Sequence, residues 1–105
     1  MEMKKVQERI VHFAEQRARA KGVEYTPEIA YIHLTEELGE VAQQLFNKKL
    51  RPDLFDEENL REEIVDVILE SLILADLCKV NLDHEVGKKI DNLFEKHRFK
   101  EKAFS

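Results

Sequence analysis

Two pairs of acidic residues are the side chains of this sequence best suited to do chemistry. Glu37 and Glu40 form the first pair, and Glu63 and Asp66 form the second, each with two residues between the acids. Side chains three positions apart project from the same side of an α-helix. If both segments are helical, each therefore presents two carboxylates to one point.

The second acidic pair is predicted to point into the protein. Glu63, Asp66 and Glu70 form one stripe along a helix, and the same stripe continues into Ile73 and Leu77. Inward carboxylates lose hydration and repel one another, so a cation or proton must compensate them. All-oxygen ligands favour Mg²⁺, with Mn²⁺ as a substitute, over zinc. The alternative is that these acids form a solvated helix face, as most acidic pairs do.

The elements that would position these acids are helices. The chain has only 3 Gly, 2 Pro and no Trp, and its apolar residues recur at helical spacing. Gly22 is placed to end a first helix, and Thr26 followed by Pro27 is a helix start. The predicted helices cover residues 3–21, 27–47, 60–80 and 82–99, with a connection at 48–53 and a frayed tail at 100–105. Asp53 or Asp56 is the predicted cap of the third helix.

Length and composition predict one all-α domain over residues 1–105, a bundle of four or five helices. With 105 residues and 43% hydrophobic content, the chain is long enough to bury a modest core. The third predicted helix is apolar on almost every side, which three short neighbours in a small monomer would not cover. We therefore expect a homodimer or a homotetramer.

The net charge of −5 argues against binding of nucleic acid through a basic surface. It also requires a cation between the protein and any anionic substrate. No uncharged stretch is long enough to span a bilayer, so no membrane partner is expected. The single cysteine, Cys78, lies in an apolar run and is predicted to be a small buried hydrophobe. A reducing compartment, the cytoplasm, follows as the expected location.

The order of the acidic motifs favours one class of metal protein over another. A di-iron centre of the ferritin type needs Glu-x-x-His on two helices, and no histidine of this sequence lies three residues after a glutamate. The order is instead Glu-x-x-Glu, an interval of 22 residues, and Glu-x-x-Asp. The local strings are Glu36-Glu37-Leu38-Gly39-Glu40 and Glu62-Glu63-Ile64-Val65-Asp66-Val67.

Over roughly residues 25–99 this pattern resembles the MazG-like branch of the all-α nucleoside triphosphate pyrophosphohydrolases. The resemblance implies that Glu37, Glu40, Glu63 and Asp66 hold Mg²⁺. It also implies substrate contacts from the last helix, where Asn92, Phe94, Lys96 and Arg98 loosely match the family's pattern of an asparagine followed by basic residues. The sequence departs from many relatives in having Leu93 where they carry lysine, and in lacking Trp to stack a base.

Further substrate contacts are predicted from helical spacing. Lys89, Asn92 and Lys96 share one side of the last helix, beside its apolar seam. His33 lies one turn before Glu37 and is the best candidate among the aromatic and imidazole side chains for contact with a base. A solvated basic face and an ordinary core histidine are the alternatives.

The predicted reaction is Mg²⁺-dependent hydrolysis of a nucleoside triphosphate to the monophosphate and pyrophosphate. Water would attack the α-phosphorus, and Glu36 is the candidate to orient or deprotonate it. Nucleotide-pool sanitation is the purpose that the resemblance implies, and phosphoribosyl-ATP is a minor alternative substrate. The competing hypothesis is a noncatalytic helical interaction or regulatory module, with solvated acids and no metal.

Overall fold

A computed structural model describes residues 2–104 and contains four α-helices. No strand forms within that range, so the predicted all-α class is confirmed. The helices are α1 (Met3–Lys21), α2 (Pro27–Leu50), α3 (Glu57–Leu77) and α4 (Leu82–His97).

Local capping interactions, from side chains or from the backbone, explain where α1 ends and where α2 and α3 begin. The Thr26 hydroxyl accepts the N–H of Ile29 at 3.3 Å ahead of Pro27, and Gly22 closes α1 with a left-handed φ of 65°. The third helix begins at Glu57, earlier than predicted, because the Asp56 carboxylate accepts the N–H of Asn59 at 3.1 Å.

The second and third helices form an antiparallel pair that carries the predicted acids. Contacts join the end of α2 to the start of α3 and the start of α2 to the end of α3, across a short connection. The first helix packs against α3, and α4 packs against α1. The acidic motifs of α2 and α3 therefore face each other inside the pair.

The apolar core lies at one end of this helix pair. Ala14, Ala30 and Ile73 are buried there, and a partly buried shell packs around them: Ile10, Tyr25, Leu74 and Leu77. Tyr25 also donates its hydroxyl hydrogen to Asp76 at 3.1 Å, which ties the connection between α1 and α2 to α3. Burial and the Asp76 carboxylate raise the pKa of Tyr25, so the phenol stays protonated and acts as a donor.

Large apolar side chains remain uncovered in the single chain. Ile68 in the middle of α3 is 54% exposed, and Ile64 and Val65 beside it are also exposed. Leu72 and Ile73 of α3 are buried, whereas the outer side of this helix, which the sequence predicted to be apolar as well, is uncovered in the single chain. Further exposed apolar residues on α2 and α4 are Leu38, Leu45, Phe46, Val86, Ile90 and Leu93.

The prediction that Cys78 is buried was wrong, because Cys78 is exposed. The apolar run that contains it continues past the end of α3, and Cys78 is the capping residue that follows Leu77. Its side chain therefore lies beyond the core. Across residues 2–104, the helices are all too short or too polar to cross a lipid bilayer.

Candidate metal centre

Three carboxylates meet where α2 crosses α3. One oxygen from each of Glu37, Glu63 and Asp66 lies within 4.8 Å of the others. Glu40 lies close enough for Glu63 and Asp66 to raise the pKa of its carboxyl. The structure thus brings three of the four acids that the sequence singled out into one cluster, and Glu40 lies exposed beside them.

Two oxygens of this cluster are buried without a partner. Glu63 is only 9% exposed, Glu37 and Asp66 are half-buried, and Glu40 is exposed. The Oε2 atoms of Glu37 and Glu63 are inaccessible to water and form no hydrogen bond with any described residue. A buried oxygen of this kind is unfavourable unless a cation or a proton satisfies it.

The acids raise one another's pKa. For Glu63, the neighbouring Glu37 carboxyl is the largest cause of the raised pKa, and burial adds to it. For Glu40, the proximity and negative charge of the Glu63 carboxylate are the largest causes of the raised pKa. For Glu37, the contact with the Glu63 carboxyl lowers the pKa, but burial and the charges of Glu40 and Asp66 outweigh it, so the pKa is raised. A nearby positive charge would therefore stabilise the ionised form of these carboxylates.

The donor set fits a hard divalent cation. It contains only carboxylate oxygens, which Mg²⁺ and Mn²⁺ prefer, and two of these oxygens are already stripped of water and hydrogen bonds. A cation would satisfy both orphaned oxygens and lower the raised pKa values. These residues are thus compatible with a divalent metal centre.

Beside the carboxylates, a second buried polar layer involves α1, which sequence reasoning did not connect to the site. Arg17 of α1 donates to Oε1 of Glu70 at 3.0 Å, and Glu70 is buried. The Nδ1 atom of His33 lies 4.0 Å from the other Glu70 oxygen. Glu70 continues the acidic stripe of Glu63 and Asp66, but nothing in the sequence indicated Arg17 as its partner.

A cavity of about 160 Å³ opens next to this layer, between α1 and the start of α2. Arg17, Tyr25 and His33 supply polar groups to its wall, and the small side chains of Ala14 and Ala30 leave it room. His33 is half-buried and its Nδ1 has no hydrogen-bond partner among the described residues. The predicted base contact, His33, therefore lines a cavity beside the Arg17–Glu70 ion pair.

The other predicted site residues lie away from the cluster or at its edge. Lys89, Asn92, Lys96 and Arg98 are exposed in and just after α4. Within residues 2–104, no hydrogen bond or ion pair joins them to the four carboxylates. Glu36 is exposed on α2, directly before Glu37.

An amide network also reaches the cluster and was not predicted. Asn59 lies one turn before Glu63 on α3, and its Nδ2 donates to Glu63 Oε1 at 3.5 Å. Gln44 of α2 donates to Oδ1 of the same asparagine at 3.0 Å. Helical spacing between Asn59 and Glu63 was the only sequence signal for these contacts.

Comparison with known proteins agrees with this arrangement. No curated protein matches the sequence significantly. The pattern that defines the MazG nucleotide pyrophosphohydrolase domain matches residues 25–104, which include all four carboxylates and exclude α1. Because the match extends over well more than half of the chain, this protein belongs to the MazG nucleotide pyrophosphohydrolase family.

Proposed function

We propose that this protein hydrolyses a nucleoside triphosphate, ribo- or deoxyribo-, to the monophosphate and pyrophosphate, with Mg²⁺ held by Glu37, Glu40, Glu63 and Asp66. The observation that carries the proposal is the carboxylate cluster with two buried, unpartnered oxygens. It lies inside the segment that defines a family of nucleotide pyrophosphohydrolases. Mn²⁺ is the proposed substitute cation.

The chain's own residues have distinct proposed roles in this reaction. A divalent cation supplies charge neutralisation of the phosphates and lowers the pKa of water. The carboxylates of α2 and α3 would bind this cation between the two helices. Glu36 is exposed beside them, where it orients or deprotonates the attacking water.

Substrate contacts are proposed on two sides of the carboxylates. His33 contacts the base from the wall of the cavity beside the Arg17–Glu70 ion pair. Lys89, Asn92, Lys96 and Arg98 contact the phosphates, where cationic and amide donors stabilise negative oxygens. Because no bond links these α4 residues to the cluster within one chain, their contact with substrate is proposed for the assembled protein.

The proposed assembly is a homodimer or a homotetramer. It is supported by the exposed apolar side chains on α2, α3 and α4, including Ile68 and Ile90. Patches of this kind usually mark association surfaces. Residues 1–105 are proposed to act as one domain, in cytoplasmic sanitation of the nucleotide pool.

The test is hydrolysis of a panel of ribo- and deoxyribonucleoside triphosphates, with Mg²⁺ and with EDTA. Pyrophosphate and orthophosphate are assayed separately. Glu63→Ala removes a buried cluster member, and Glu62→Ala removes an exposed acid from the same helix as a matched control. Pyrophosphate release that needs Mg²⁺ and Glu63 but not Glu62 supports the proposal.

The competing hypothesis, a noncatalytic interaction module, predicts the opposite result. No nucleotide would then release pyrophosphate above the rate without protein, and Glu63→Ala would behave as the wild type does. Orthophosphate release without pyrophosphate would instead indicate attack at the γ-phosphorus and would refute the proposed site of cleavage.

A further inference from the structure

A chain of hydrogen bonds runs from the backbone between α2 and α3 to the Glu63 carboxylate. The Asp56 backbone N–H donates to Gln44 Oε1 at 3.0 Å. Gln44 Nε2 donates to Asn59 Oδ1 at 3.0 Å, and Asn59 Nδ2 lies 3.5 Å from Glu63 Oε1. We call these three hydrogen bonds, through Gln44 and Asn59, the amide relay.

The direction of every bond in the amide relay is set by its first member. A backbone N–H can only donate, so Gln44 must turn its carbonyl oxygen toward Asp56. Its NH₂ group then faces Asn59, which must offer its own carbonyl oxygen. The Asn59 NH₂ group is left facing Glu63, because an amide carries one acceptor and one donor group at opposite corners.

This direction decides how Glu63 presents its carboxylate. The Asn59 donor engages Oε1, and Oε2 stays buried without a partner. One of the two Glu63 oxygens lies within 4.8 Å of oxygens of Glu37 and Asp66. The reverse amide orientation would set two acceptor oxygens against each other and turn the carboxylate away. The relay therefore restrains the Glu63 carboxylate through Oε1 and leaves Oε2 free to bind a cation.

The amide relay is itself anchored on both helices. Asn59 is fixed at its backbone by the Asp56 cap and at its side chain by Gln44. Both amide side chains are half-buried, which protects their hydrogen bonds from competing water. The relay thus links the α2–α3 connection to the carboxylate cluster through ordered polar groups.

We propose that Gln44 and Asn59 are positioning residues for the metal centre: they preorganise Glu63 to bind the cation and do not touch the substrate. The inference rests on the proposed function for the presence of the cation. Partners that orient a metal ligand typically change metal affinity or activity about 10- to 100-fold when they are removed.

The test is calorimetric titration of Mn²⁺ into the nucleotide-free full-length protein, for the wild type and for Asn59→Ala and Gln44→Ala. We expect Asn59→Ala to weaken Mn²⁺ binding about 10-fold or more. Gln44→Ala is expected to weaken it less, because Gln44 acts through Asn59. The double variant should bind no more weakly than Asn59→Ala alone.

Gln43→Ala is the matched control. Gln43 is an exposed amide on the same helix, and it donates to Asn47 rather than to Asn59. Its removal should leave Mn²⁺ affinity unchanged. Urea unfolding in EDTA, run on every variant, separates a loss of cation affinity from a loss of stability.

Each result distinguishes the relay from the proposed function. If the wild type binds Mn²⁺ and the Asn59 and Gln44 variants bind it equally well, the positioning role is overturned while the metal centre stands. If the wild type binds no Mn²⁺, both proposals fail. Weakening in Gln43→Ala equal to that in Gln44→Ala would also overturn the relay, since it would reflect a general loss of helix structure.

Discussion

Replacing Arg17 by methionine should destabilise the protein strongly, although Arg17 lies outside the segment that defines the family. The Arg17 and Glu70 side chains are 24% and 10% exposed, and their charged atoms are 3.0 Å apart. Removing the arginine leaves a buried carboxylate whose other oxygen lies 4.0 Å from Nδ1 of His33. Breaking a buried ion pair from one side usually costs about 3–5 kcal/mol.

We expect the lower end of that range, about 3 kcal/mol, because Arg17 keeps some contact with water and its pairing is partly screened. Glu70→Leu should cost less, since a long arginine side chain can turn its charge toward solvent. The double variant Arg17→Met/Glu70→Leu leaves no unpaired charge, so it should unfold closer to the wild type than Arg17→Met does.

The assay is urea unfolding followed by circular dichroism, in EDTA and at one fixed protein concentration. The double-mutant cycle gives the coupling energy between the two charges directly. A cost below about 1 kcal/mol for Arg17→Met, typical of exposed pairs, would refute the reasoning. So would a double variant that is as unstable as the sum of the single variants.

Three further predictions follow from the structure. Glu37, Glu40 and Glu63 have raised pKa values, so above pH 4.5 the folded metal-free protein binds more protons than the unfolded chain. The free energy of unfolding in EDTA should therefore fall as the pH rises from 4.5 toward neutrality. Thermal melts in EDTA check this, and a trend that Glu63→Gln leaves unchanged would contradict it. Gly22→Ala should cost about 1 kcal/mol in urea unfolding because φ is +65°, although the added methyl group meets open space; no loss would refute the strain. Light scattering should give a mass above that of the 12.4 kDa chain, and Ile68→Glu should lower it if the exposed side of α3 is the interface.

The fold was largely predictable because the signals that set it are local. Thr26 with Pro27, and Gly22, specify their helix ends through bonds within one turn. The range predicted for α3 began late because apolar periodicity begins at Leu60, although Asp56, one of the two predicted caps, does form the capping bond. Cys78 was predicted to be buried because the apolar run extends beyond Leu77, where α3 ends.

The candidate site was predictable only in part. Stripes of acids that merge into apolar residues indicated the carboxylate cluster, because helical spacing alone brings each pair together. The contact between Arg17 and Glu70 depends on how α1 docks against α3, over a separation of 53 residues. The relay through Gln44 depends on the length of the α2–α3 connection. Neither contact leaves a periodic trace in the sequence.

The placement of the apolar core at one end of the α2–α3 pair has a consequence for its motions. At the opposite end, beyond the carboxylates, Leu50 and Leu54 are exposed, so opening that turn uncovers little additional apolar surface. Backbone amides near the turn should exchange with deuterium well before those around Ala30 and Ile73. A cation bound by ligands from both helices would slow that exchange. The occupied centre would thus restrain the half of the α2–α3 pair that lies outside the apolar core.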